Sequence, residues 1–155
     1  MAYENSGNWL QYFIPNIPLA DGTAGVLEEV DIGATGADHG EYICIKPCIM
    51  RRTQFTMVGE LAGGTSAAPT VLFKKRPTPL SATGETTVST LTIPDATGVG
   101  ATIFEEVNTA FAVGDSVEIS HTVGTGTPTG KGFPSALCTE NPEVASNNTE
   151  LTVTA

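Results

Sequence analysis

The chain has few of the residue types that catalytic chemistry draws on. Among 155 residues there are two histidines, His39 and His121, three cysteines and one tryptophan. Seven Lys and Arg stand against 17 Asp and Glu, so charged residues make up only 15% of the chain and the net charge is -10. So acidic a body repels a polyanion, which argues against nucleic acid as the main partner. No apolar run approaches the roughly eighteen residues that a membrane-spanning helix needs. Residues 1–15 also lack the basic start and apolar middle of a secretion signal. The expectation is a protein made in the cytoplasm, with no membrane partner.

Cysteine is scarce and odd in number. Cys44, Cys48 and Cys138 imply no disulfide framework in a chain long enough to fold without staples, and reduced, buried thiols are expected. Runs of Ala, Leu, Glu and Lys, which would sustain long helices, are also missing.

What is present favours strands. The sequence carries 23 Thr beside 17 Gly and 10 Pro, a composition of β-structure and tight turns. With 40% apolar residues in 16.0 kDa there is enough to bury one core and little for a second. The expected architecture is all-β: a β-sandwich or jelly-roll-like single domain over residues 19–155, preceded by an extended N-terminal arm over residues 1–18. Pro15 and Pro18 hold the end of that arm extended.

Period-two alternation and turn signals mark about nine strands. After the arm they are Val26–Val30, Tyr42–Met50, Thr53–Leu61, Val71–Lys75, Thr87–Ile93, Thr102–Val107, Ser116–Val123, a weak Phe133–Cys138 and a closing Glu150–Thr154. Residues 33–40 and 124–132 read as glycine-rich loops. One internal echo sets Ile17-Pro18, Gly22 and Val26–Val30 against Ile93-Pro94, Gly98 and Ile103–Val107; duplication and chance recurrence of turn words explain it equally well.

Charge is segregated along the chain. Residues 1–41 sum to -7, residues 42–76 to +5 and residues 77–155 to -8. Lys46, Arg51, Arg52, Lys74, Lys75 and Arg76 would form a basic docking patch if their strands were neighbours; otherwise they flank strands and discourage edge aggregation.

The chemistry-bearing residues do not assemble into a catalytic pattern. A nucleophile needs a base and an orienting group, usually with histidine as the base. His121 shares a strand face with Val117, Ile119 and Val123 and reads as a packed side chain. His39, between Asp38 and Gly40-Glu41, has no second ligand cluster at a metal-binding spacing. Cys44 and Cys48, placed in one strand, would share a face with α-carbons roughly 13 Å apart, too far for a disulfide. Zinc would need further ligands, such as Cys138 and a histidine. Glu28-Glu29 and Glu105-Glu106 are adjacent in strands and so face opposite sides. There is no phosphate loop, nucleotide fingerprint or nucleophile elbow. The reading is no enzyme, no cofactor and no metal.

Aromatic residues cluster early. Tyr3, Trp9, Tyr12 and Phe13 lie in the arm, a placement better suited to anchoring on a protein partner than to a rigid sugar-binding platform, though Trp9 and Phe13 would equally serve a local core. Partner contact is therefore expected at Tyr3, Trp9, Tyr12, Phe13, Arg51, Arg52, Lys74, Lys75 and Arg76.

Three segments carry a resemblance: Phe73-Lys74-Lys75-Arg76-Pro77-Thr78-Pro79, Thr90-Leu91-Thr92-Ile93-Pro94-Asp95 and Phe111-Ala112-Val113-Gly114-Asp115-Ser116-Val117-Glu118-Ile119. Over residues 71–123 the chain resembles virion structural proteins of tailed bacteriophages, of the head decoration (cement) type. The resemblance implies a capsid surface protein that binds the major capsid protein, reinforces joints in the shell and assembles as a homo-oligomer, a trimer first. A tail- or head-fibre module binding a receptor or glycan is the alternative.

Overall fold

The computed structural model describes residues 11–13, 30–33, 38–44, 47–62, 65–126 and 129–140. These residues form an all-β sandwich of two antiparallel sheets, with no helix among them. The eleven strands are β1 (Gln11–Phe13), β2 (Val30–Asp31), β3 (Asp38–Ile43), β4 (Cys48–Ala62), β5 (Thr65–Ala67), β6 (Thr70–Arg76), β7 (Thr86–Thr92), β8 (Thr102–Phe111), β9 (Ser116–Thr122), β10 (Thr125–Gly126) and β11 (Thr129–Glu140). The first sheet runs β1-β11-β4-β8, with β2 also paired to β11, and the second runs β3-β9-β6-β7. A short β10-β5 ribbon pairs the segments beside them.

The core comes from alternate residues on the facing sides of both sheets. Met50, Phe55 and Met57 of β4, Phe111 of β8 and Ala136 of β11 meet Val71 and Phe73 of β6, Leu91 of β7, and Val117 and Ile119 of β9. His121 is buried opposite Val71, on the face its alternation indicates. Inside the core, Thr53 of the first sheet and Ser89 of the second share a 2.7 Å hydroxyl hydrogen bond, so both polar groups are satisfied across the interface.

Several boundaries differ from the periodicity reading. The single strand expected over residues 42–50 is broken. The chain leaves the second sheet at Ile43 and enters the first at Cys48. The separate strand expected at residues 53–61 is the continuation of β4. Arg51 is an extra residue relative to β11, where Arg52 pairs with Leu137 and Met50 with Cys138. That bulge lets both Met50 and Thr53 face the core, an odd spacing that alternation reads as a break.

The expected loop over residues 124–132 contains β10 and the start of β11, and the weak strand after it is a twelve-residue strand lying between β4 on one side and β1 and β2 on the other. Its glycines have a packing reason. A Cβ at Gly132 would sit 2.4 Å from the Phe55 ring and 2.6 Å from the Thr56 carbonyl.

Residues 38–40, read as part of a loop, belong to β3. Gln11–Phe13, placed by the sequence in the extended arm of residues 1–18, pair with residues 136–138 of β11. The rest of the arm, Val26–Glu29, the Ile17 half of the internal echo and the closing strand at 150–154 lie outside the described residues.

Candidate functional site

The five described cations of the middle segment do not form one patch, because β4 and β6 belong to different sheets. Lys46 lies outside the described residues. Arg51 and Arg52 are on β4, facing outward from the first sheet. There the Arg51 guanidinium donates to Thr139 of β11, at 3.2 Å, and to Asn108 of β8. Arg52 pairs in register with Glu106 and donates to its carboxylate at 2.7 Å. The Arg52 guanidinium also lies 4.7 Å from the centre of the Phe104 ring. Phe104 pairs with Gln54, so its ring stands on the outer face, 55% exposed, amid Arg52, Glu106, Thr56 and Thr102. Phe133 and Leu137 of β11 are half-buried on the same face.

Lys74 and Arg76 face outward from the second sheet, into a cluster of acids. Lys74 reaches Glu85 at 3.1 Å and Glu118 at 3.3 Å; Arg76 reaches Glu85 at 2.7 Å, Glu41 at 3.6 Å and Glu118 at 3.7 Å. The β6–β7 connection, residues 77–85, folds back over this cluster. The Leu80 amide donates to Glu41 of β3 at 2.7 Å, and Ser116 donates its hydroxyl to the other Glu41 oxygen.

Glu118 is 1% exposed, which explains why β9 is buried on both faces. The Arg76 guanidinium and the Lys74 ammonium hold the Glu85 carboxyl below its ordinary value, the Arg76 hydrogen bond contributing most. Burial acts to lower Lys74 and Arg76, but Glu85 and Glu118 outweigh it and both stay above their ordinary values.

Lys75 points the other way, to one end of the core. Its ammonium lies 2.9 Å from Asp115, donates to the Ala110 carbonyl at 2.7 Å and sits 5.3 Å from the Phe111 ring. At the same end the three thiols converge. All three are free, buried and part of the same core cluster. The separation of roughly 13 Å expected for Cys44 and Cys48 in one extended strand does not hold, because the chain crosses between sheets from one to the other. Mutual interaction of the three thiols holds Cys48 below its ordinary value and, together with burial, pushes Cys44 and Cys138 above theirs.

Tyr3 and Trp9 lie outside the described residues, and Tyr12 and Phe13 are placed only as register partners of Leu137 and Ala136. His39 lies on β3. Among the described residues no group of three His, Cys, Asp or Glu is placed to hold a metal ion. Phe104 is the feature that sequence reasoning missed. It lay in a run read only as apolar, and the signal was its neighbour Ile103, which pairs with Phe55 and takes the inward position.

No family model, no curated protein and no solved structure matches the chain.

Proposed function

We propose that the chain is a capsid decoration protein of a tailed bacteriophage, binding the outer head shell and reinforcing contacts between major capsid proteins. The observation that carries this reading is the Phe104 face of the first sheet. An aromatic ring 55% exposed on a rigid strand, with a guanidinium laid against it and polar side chains around it, has the composition of an interface anchor. A sheet face of this composition suits lying across a joint between subunits, where burial of apolar area resists internal pressure without any chemical step. The resemblance over residues 71–123 points to the same class of protein. Assembly of the chain as a homo-oligomer, a trimer first, belongs to the same reading.

The test is localisation on particles. Immunogold labelling or cryo-electron microscopy should place the protein on the head shell, and Phe104→Ala should load at least tenfold more weakly, the loss expected of a residue contributing about 2 kcal/mol. Density on the tail or at fibre tips would favour a receptor- or glycan-binding module instead.

A further inference from the structure

We propose that the open edge of β8, from Thr102 to Glu106, is a docking site for an extended segment of another protein, which adds to the first sheet as an antiparallel strand and sets a Lys or Arg beside Glu105. The inference does not rest on the capsid reading, and its test uses no particles.

The main chain supplies the site. Among the described residues β8 ends the first sheet, with β4 as its one neighbour. The Met57 amide donates to the Ala101 carbonyl at 2.8 Å, a bond that flanks the Thr56–Thr102 pair. In an antiparallel ladder such a bond marks Thr102 as a residue whose own amide and carbonyl point away from the neighbouring strand. The alternation carries the same orientation to Phe104 and Glu106, which pair with Gln54 and Arg52. All three residues are exposed, so their main-chain groups face water along the edge. The stretch also has an end. The register breaks beyond Glu106, and past the break the Lys75 ammonium already holds the Ala110 carbonyl at 2.7 Å.

β8 is also the longest strand that ends a sheet, ten residues against six in β3 and seven in β7. Phe104 stands on it 55% exposed, a ready cross-strand partner for an apolar side chain on an added strand.

Glu105 selects the occupant. It alternates to the side opposite Phe104, in register with the buried Thr53, yet it is exposed, and no described residue forms an ion pair with it. Glu106 is already engaged by Arg52. A strand laid along the edge places one side chain directly beside Glu105. An acidic neighbour there repels the carboxylate and an apolar one strips it of water, whereas a Lys or Arg pairs with it. Glu105 therefore closes the edge to indiscriminate pairing and admits a cationic segment.

A second copy of β8 fits poorly for the same reason. Antiparallel pairing about Phe104 would gather Glu105 and Glu106 of both copies round one axis, with only Arg52 of each to offset them. The described cations of this chain stand within β4, β6 and β11, so the segment comes from another protein. Its pattern follows from the pleat: a Lys or Arg beside Glu105, followed by a β-branched or aromatic residue beside Phe104.

The experiment titrates the isotopically labelled full-length chain with the blocked peptide Thr-Lys-Val-Val-Thr and follows amide signals by nuclear magnetic resonance. The amides of Thr102, Phe104 and Glu106 should shift in a saturable way and gain protection from hydrogen exchange. The same peptide with Glu in place of Lys should bind roughly tenfold more weakly, since like charges then face each other. Glu105→Lys, a change at an exposed position, should reverse that order. Methylating the middle nitrogen of the peptide should abolish binding, because it removes the donor to the Phe104 carbonyl. An edge that does not respond, equal binding of the Lys and Glu peptides, or an order unchanged in Glu105→Lys would each overturn the proposal. So would edge amides already protected in the free chain, the result expected if the chain's own residues or a second copy cover them.

Discussion

Single side chains decide how residues pack within a sheet, and Gly132 of β11, against Phe55 of the neighbouring β4, is the tightest point among the glycines of the described residues. The Phe55 ring occupies the space a side chain would take there, and it is fully buried with no room to retreat. Gly132→Ala should therefore destabilise the protein by about 1–3 kcal/mol, the range for an overpacked core, read as a lower urea midpoint at unchanged slope. Ala96 shows the opposite case. It is exposed in the turn before β8 with φ at 58°, a left-handed conformation that costs a residue bearing a Cβ. Ala96→Gly should raise stability by up to about 1 kcal/mol, because the relief of strain exceeds the added entropy of the unfolded chain; a lower midpoint would show that the turn is unstrained. At this scale the facing of Val117, Ile119 and His121 was legible, because β9 alternates without interruption. Phe104 was not, since an exposed ring and a buried one look alike in a short apolar run. The thiol cluster was hidden for another reason: Cys44 and Cys48 meet only because the chain changes sheets between them.

At the scale of elements, strands with a regular period were readable and bulged or glycine-rich ones were not. β4 shifts phase at Arg51, so one long strand looked like parts of two. β11 carries Gly130, Gly132 and Pro134, all turn residues by composition, yet each is buried on the inner face. Pro134 is tolerated because β2 pairs with residues 131–132 and β1 with residues 136–138, which leaves it at the break between those two partners. The charged clasp over the second sheet was equally out of reach, since it joins β3, β6, β9 and the 77–85 connection across positions far apart in sequence.

That clasp makes a pH prediction. Glu85 has a folded value held below its ordinary 4.5, so its contribution to stability is complete above that value and is lost as pH falls through the lower folded value. Urea midpoints should be level above about pH 5 and decline below about pH 4.5. In Glu85→Gln the midpoint near neutral pH should be lower and the acid decline shallower. An identical acid decline in the variant would show that Glu85 contributes nothing to it.

For the whole molecule, the topology separates what the linear sequence put together. Segregated charge along the chain suggested one basic face, but Arg51 and Arg52 emerge from one sheet while Lys74 and Arg76 are held against acids on the other. On the proposed capsid reading, electrostatic docking falls, among the described cations of the middle segment, to the Arg51–Arg52 face, where Phe104 also stands. Arg52 already pairs with Glu106 in the open, with side chains 38% and 59% exposed, and such a surface pair contributes little to folding. Arg51→Glu with Arg52→Glu should leave the fold intact and mainly slow loading onto particles, with the difference from the unaltered protein shrinking as salt rises. The arm makes the complementary prediction. Because Gln11–Phe13 complete the edge of the first sheet beside β11, the informative truncation stops short of them and removes residues 1–10. If Tyr3 and Trp9 insert into a neighbouring subunit or the shell, each contributes about 2 kcal/mol as an anchor. The truncated chain should then fold with an unchanged circular dichroism spectrum, associate with particles at a normal rate and dissociate at least tenfold faster. Retention on particles equal to that of the intact chain would show that the Phe104 face alone sets affinity, and that residues 1–10 have no part in attachment.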